Sequence, residues 1–213
     1  SFARGVPYPG TFVLNRGGVV VSKYFEEDYT ERFTGSGILV RQFGVRPGGP
    51  HSSVETRHLR ASLASSSQGI RGGQRLTLEL DIELKRKMHV YAPGVKGYKP
   101  IDWRVKESRG WRADPVTFPP SHELYLKAIG ERVRIYQGKL RLIRDVVVGR
   151  DKAVRALADS NGMIEIETTL DYQACDDKVC YLPEQVPLKV AVRLEAQDSQ
   201  RVAPELRKAA PRQ

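Results

Sequence analysis

Leu76, Leu78, Leu80, Ile82 and Leu84 alternate with Thr77, Glu79, Asp81, Glu83 and Lys85. A strict period of two predicts an extended strand with one face buried and the other wet. Ile164, Ile166, Thr168, Leu170 and Tyr172 alternate likewise with Glu165, Glu167 and Asp171. Val186, Leu188, Val190, Val192 and Leu194 make a third such run; Leu140, Leu142, Val146 and Val148 predict a fourth, and Ile101 to Val105 a shorter fifth. No long helical pattern separates these runs. The expected fold is therefore mainly β, an antiparallel sandwich rather than a parallel sheet.

Upstream the pattern changes. Thr11 to Leu14 and Val19 to Phe25 flank Asn15-Arg-Gly-Gly18, which reads as a β-hairpin. Asp28 is a candidate N-cap for a short helix through Phe33, with Gly35-Ser-Gly37 ending it. Residues 45–72 open on Arg46-Pro-Gly-Gly-Pro50 and close on Ser65-Ser-Ser67, Gly69, Gly72 and Gly73. That composition predicts a flexible linker, with at most a turn of helix around Leu59 and Leu63. The expected organisation is a leading segment at 1–44, a linker at 45–72, the sandwich at 73–195 and a disordered polar tail at 196–213.

Composition changes this picture little. The 213 residues are 40% hydrophobic and 28% charged, with a net charge of +10. The basic residues interleave with acidic ones, and the densest basic cluster, around Arg141 and Arg144, lacks the interleaved aromatics of single-strand binders. A solvated basic surface is expected, with no nucleic-acid partner. No apolar run approaches the ~18 residues of a membrane-spanning helix, so direct membrane insertion is not expected. The chain starts at Ser1 without an apolar signal core and reads as truncated at that end.

Candidate chemistry sits in Cys175-Asp-Asp-Lys-Val-Cys180, which holds the only two cysteines. Structural zinc takes four ligands in paired spacings. No second cysteine pair exists and His51, His58, His89 and His122 are dispersed, so neither a metal nor a cofactor is called for. Two readings remain open. Cysteines facing each other across a hairpin could form a staple, although the loop-entropy model assigns so short a loop only about 2 kcal/mol. A disulfide at a chain turn is equally open to attack by a thiolate, which is the basis of exchange chemistry. Asp176 and Asp177 disfavour a thiolate on Cys175, partly offset by Lys178, which leaves Cys180 the better attacking group.

The surrounding residues add a resemblance. Tyr172-Gln-Ala-Cys175, Cys180-Tyr-Leu-Pro183 and Val186-Pro-Leu188 resemble the terminal hairpin of the N-terminal domain of the bacterial thiol:disulfide interchange protein DsbD. His89-Val-Tyr-Ala-Pro-Gly94 and Gly97-Tyr-Lys-Pro-Ile101 resemble that family's early strand pair. The likeness covers roughly residues 73–195. It implies an immunoglobulin-like sandwich, periplasmic or exported, that passes electrons between thioredoxin-fold redox proteins, with a membrane electron-transfer protein as a further partner. The implied activity is that of a thiol-disulfide oxidoreductase of the protein-disulfide reductase type. Carried over by position, Cys180 forms the mixed disulfide and Cys175 resolves it. The resemblance also implies an aromatic cap over the cysteines, for which Tyr125 in His122-Glu-Leu-Tyr125 is the candidate, with Tyr172 and Tyr181 around the pair. The rival is a non-enzymatic interaction domain in which Cys175–Cys180 is structural.

Gly5-Val-Pro-Tyr-Pro-Gly-Thr-Phe-Val-Leu14 is similar to the closing half of redoxins of the peroxiredoxin and thioredoxin-like kind. The resemblance implies an incomplete thioredoxin-fold fragment, a β-hairpin plus a short helix, ahead of the sandwich. Pro9, with Pro7 as the other choice, stands where such folds place a cis proline. The family's catalytic cysteine would lie upstream of this strand, so the segment is not expected to perform redox chemistry by itself.

Overall fold

The computed structural model describes residues 10–26, 31–126, 130–150 and 152–196. The leading elements are β1 (Gly10–Leu14), β2 (Val20–Phe25), β3 (Arg32–Phe33) and α1 (Gly35–Phe43). They are followed by β4 (His51–Glu55), β5 (Leu59–Ser65), β6 (Gly69–Arg71), β7 (Gln74–Leu84), β8 (His89–Tyr91) and β9 (Asp102–Val105). Next come β10 (Trp111–Ala113), β11 (His122–Leu126), β12 (Glu131–Gln137) and β13 (Lys139–Val148). A helical turn α2 (Lys152–Arg155) precedes β14 (Met163–Tyr172), β15 (Ala174–Cys175) and β16 (Glu184–Glu195).

Two sheets make the sandwich. One runs β10-β13-β7-β5-β4, with β3 alongside β7; the other runs β6-β16-β14-β9. Among the named strands only β6–β16 and β3–β7 pair in parallel. The alternating leucines of β7 meet Ile164, Ile166 and Leu170 of β14 and the valines of β16 in one buried cluster around Trp103. Each such side chain contributes roughly 1.5–3 kcal/mol on burial. A third sheet, β11-β12-β8-β15, stands at one end and carries the cysteine hairpin.

The structure departs from the sequence-based expectation in three places. Residues 45–72 are not a linker but supply β4, β5 and β6. Leu59, Ala61 and Leu63 lie fully buried on β5, which pairs with β7 from Leu59↔Leu84 to Ser65↔Leu78. Their period of two was present in the sequence, but short and flanked by Ser and Gly. Strand pairing there overrides a composition that by itself reads as unstructured.

The helix begins at Gly35 rather than ending there, so Gly35-Ser-Gly37 forms its first turn. Thr34 is its N-cap, its hydroxyl accepting from Gly37 N at 3.1 Å, and Gly44 closes it in the left-handed region. Gly37 is a packing requirement: a Cβ there would meet Thr77 Oγ1 at 2.6 Å. Arg32 and Phe33, expected at the end of a helix, instead pair with Gln74 and Arg75.

The polar face of β7 is also not wet in its first half. Arg75, Thr77 and Glu79 are buried on the side that α1 covers. Buried polar groups need partners, which the leading segment provides together with Asp114 and Asp145 of the sandwich. Arg75 ion-pairs with Glu26 at 2.6 Å and with Asp114, while Thr77 donates to Asp145 at 2.7 Å and Arg41 pairs with Asp145 at 2.8 Å. The β1–β2 hairpin forms as expected, in register from Gly10↔Phe25.

Candidate functional site

At the end of β14 the chain leaves the sandwich. Gln173 makes the crossing, and Ala174 and Cys175 join the third sheet opposite Val90 and His89 of β8. Asp176 then folds the turn, because a short acceptor side chain can bond the backbone two and three residues on. Its Oδ1 accepts from Lys178 N and Val179 N, both at 2.8 Å, and Asp176 N donates to Val179 O at 2.9 Å. Cys180 thereby returns opposite Cys175, Cα atoms 4.1 Å apart, and the two are joined by a disulfide. The two sulfur-bearing residues have unlike surroundings: Cys175 is 1% exposed, whereas Cys180 is exposed at the surface between Val179 and the half-buried Tyr181.

An aromatic wall stands against the disulfide. The Tyr91 hydroxyl lies 3.3 Å from Cys180 Sγ and 3.5 Å from Cys175 Sγ. Tyr91 stacks on Tyr98 at 4.2 Å between centroids, and Tyr98 reaches Glu131 at 3.5 Å. Burial, with Tyr98 beside it, pushes the Tyr91 phenol above its ordinary pKa, so it remains a donor at neutral pH. Val133, Ile135 and Cys175 pack with Tyr91 in a small apolar cluster, and Val95, Tyr98 and Leu124 lie against it.

Behind the hairpin lies a polar support. Gln173 Nε2 donates to Tyr181 O at 3.0 Å, and the Tyr181 hydroxyl donates to Asp176 Oδ2 at 2.9 Å. With the two backbone donors ahead of it, that hydroxyl holds the Asp176 carboxyl below its usual range. The His58 ring packs on Tyr181 at 4.5 Å, and the Arg57 guanidinium sits over the same ring at 5.4 Å. His58 Nδ1 is 2.9 Å from Glu184 Oε1, and Tyr172 donates to Glu184 Oε2 at 2.6 Å while meeting Thr56 Oγ1 at 2.9 Å.

Of the residues singled out from the sequence, Cys175, Cys180 and Tyr181 come together in one hairpin. Tyr172 is fully buried below it and bonded away from the sulfurs. Tyr125 does not join them. It sits on β11, opposite Arg132, whose guanidinium lies 5.8 Å from its ring, and is 51% exposed. Strand alternation sends its neighbour Leu124 inward instead. Pro9 and Pro7 lie outside the described residues, as does the tail from 197 onward.

Sequence reasoning missed Tyr91, Tyr98, His89, Arg57 and His58. The signal for His89 and Tyr91 was their spacing of two within a strand, which puts both on one face. Arg57 and His58 carried none, since they fall in the stretch that reads as linker. Among the described residues no group of three or more His, Cys, Asp or Glu is placed to hold a metal ion. The arrangement is suited to nucleophilic displacement at sulfur. One sulfur is open to attack, the other is enclosed as leaving group, and a hydroxyl donor lies within reach of both.

Two solved structures are similar in part. The N-terminal periplasmic domain of ScsB from Proteus mirabilis is 12% identical with a TM-score of 0.45, over 69% of this chain and 52% of that one. The Neisseria meningitidis DsbD N-terminal domain in its reduced form is 13% identical with a TM-score of 0.37, over 55% of this chain and 77% of that one. The chain thus spans about half the length of the first. A search of curated proteins gives no match. The model of the family described as thiol:disulfide interchange protein DsbD, N-terminal, matches residues 61–191, more than half of the chain, and the chain belongs to that family.

Proposed function

We propose that this protein is a thiol–disulfide exchange module that passes electrons between thioredoxin-fold partners through Cys175 and Cys180. The observation that carries this reading is the unequal exposure of the two cysteines within one disulfide. A partner thiolate attacks Cys180 Sγ, a mixed disulfide forms, and Cys175 departs as thiolate beside the Tyr91 hydroxyl. A second partner thiol then attacks its own sulfur and releases Cys180. Two electrons have moved from the partner to the pair, and the same steps in reverse reduce a partner disulfide. Exposed Val179 and Leu182 flank Cys180 and supply an apolar rim for a partner.

Family membership and the Cys175–Cys180 disulfide support a periplasmic or exported location. The test is a trap. Cys175→Ser should accumulate a reductant-sensitive adduct through Cys180 with a thioredoxin-fold protein that lacks its own resolving cysteine and whose remaining cysteine carries a thionitrobenzoate mixed disulfide, the thionitrobenzoate leaving as thiolate. Absence of any adduct, with the variant folded and Cys180 titratable, would leave the plain staple as the reading.

A further inference from the structure

His89 stands directly opposite Cys175 in the β8–β15 pairing, two residues before Tyr91 and therefore on the same face. Its ring meets the Tyr91 ring edge-on at 5.8 Å. It is 1% exposed, and neither ring nitrogen has a hydrogen-bond partner. A neutral imidazole carries one N–H and one lone pair, so both are shut away from water without a partner. Folded proteins rarely leave such a group idle.

The titratable groups around it are few. Tyr91 is on its own strand, Cys175 faces it from β15, and Asp176 and Asp177 approach from the hairpin loop; its register partner on β12 is the uncharged Gln137. Burial holds the imidazole below its ordinary pKa, and the carboxylates of Asp177 and Asp176 pull the other way. Cys175 Sγ, while bonded to Cys180, has no hydrogen to offer. Once the pair is opened, Cys175 gains an S–H on the residue directly across the strand pair from His89, whose ring nitrogens are unpartnered.

We infer that His89 is the proton acceptor for the Cys175 thiol in the resolving half of the exchange. This rests on the exchange reading above. From the mixed disulfide, the Cys175 S–H bond breaks and the proton passes to His89. The Cys175 thiolate attacks Cys180 Sγ; the Cys175–Cys180 bond forms as the bond from Cys180 to the partner sulfur breaks. The partner sulfur leaves with the bonding pair as thiolate, so the two electrons of the dithiol end on the partner. The imidazolium, facing Asp176 and Asp177, returns its proton to that thiolate or to water. In the opposite direction His89 first takes the proton of the attacking partner thiol and then passes it to Cys175 as it departs.

The experiment uses the full chain, reduced, with 5,5′-dithiobis(2-nitrobenzoate) under stopped flow. Attack by Cys180 releases one thionitrobenzoate; expulsion by Cys175 releases the second. His89→Gln should leave the first phase unchanged and slow the second about tenfold or more at neutral pH. Its second phase should also keep rising with pH toward the ordinary thiol pKa of about 8.5. A second phase with the same rate and pH profile as wild type would overturn the role of His89. If the glutamine variant does not fold, the imidazole nitrogen shifts of His89 in wild type decide instead. They should differ between oxidised and reduced protein, and identical titrations in the two states would overturn the inference. A wild-type protein that shows no second phase at all would overturn the exchange reading itself, a result distinct from the other two.

Discussion

Cys180 Sγ lies 3.3 Å from the hydroxyl of Tyr91, a residue 89 positions earlier in the chain and held on β8 of the end sheet. That hydroxyl is the one donor placed at both sulfurs among the described contacts. Its position gives the exposed disulfide a built-in partner for the thiolate that exchange must generate. Tyr91→Phe keeps the ring, its stacking on Tyr98 and the apolar cluster, and removes only the donor. A hydrogen bond to a charged group contributes about 1.5–3 kcal/mol. Opening of the disulfide by a small thiol should therefore slow at least tenfold, with thermal stability nearly unchanged, as followed by the rate of reduction with dithiothreitol.

The burial difference within the pair predicts unequal thiols. With Cys175 replaced by Ser, Cys180 is left at the surface; with Cys180 replaced by Ser, Cys175 remains enclosed by Tyr91, Val133 and Ile135. Alkylation by iodoacetamide at pH 7.5 should be at least about tenfold faster in the first variant than in the second, since access and thiolate character set such rates. Equal rates would remove the structural basis for assigning Cys180 as the attacking sulfur.

How much of this was legible in advance differs by residue. The four long alternating runs became β7, β13, β14 and β16, because each carries a period of two over enough residues to specify a face, and the shorter run at Ile101 to Val105 became β9. Leu59, Ala61 and Leu63 carry the same signal over only five residues inside a Ser- and Gly-rich stretch, and it was lost against that background. The cysteine hairpin was readable from local residues, since Asp176 makes its turn within the segment itself. The shielding aromatic was not. Tyr91 reaches the sulfurs through the pairing of β8 with β15, a contact between distant parts of the chain that spacing does not encode. Tyr125 was chosen from a loose likeness, and a strand's alternation turned it outward.

Because β5 is interior to its sheet, Leu63→Ala should cost about 2–5 kcal/mol of unfolding free energy by urea denaturation. A flexible linker would lose nothing measurable. The value should approach that of Leu80→Ala, its register partner on β7.

The leading segment should prove integral to the sandwich. Arg75→Ala leaves Glu26 buried without its cation, and breaking a buried pair in this way costs about 3–5 kcal/mol. Replacing both partners by neutral residues of similar size, Arg75→Met with Glu26→Gln, should recover much of that loss in the same denaturation assay.

Stability should fall as the solution is acidified below about pH 6.5, and His89 is the named cause. Its folded-state pKa is depressed by burial from a starting value of 6.5. Between the two values the unfolded chain binds a proton that the folded chain refuses, so unfolding becomes easier as pH drops through this window. Urea denaturation at pH 7.5, 6.5 and 5.5 should show this slope in wild type and a shallower one in His89→Gln. Asp176 does not interfere, because its carboxyl lies below 3.8 and loses its contribution only at lower pH.

The reduction potential of Cys175–Cys180, measured by equilibration of the full chain with thiol–disulfide buffers, separates exchange from stapling most directly. An exchange module should equilibrate at a potential above about −300 mV, within reach of thioredoxin-fold partners. A potential below about −300 mV would mark a structural bridge and contradict the assignment.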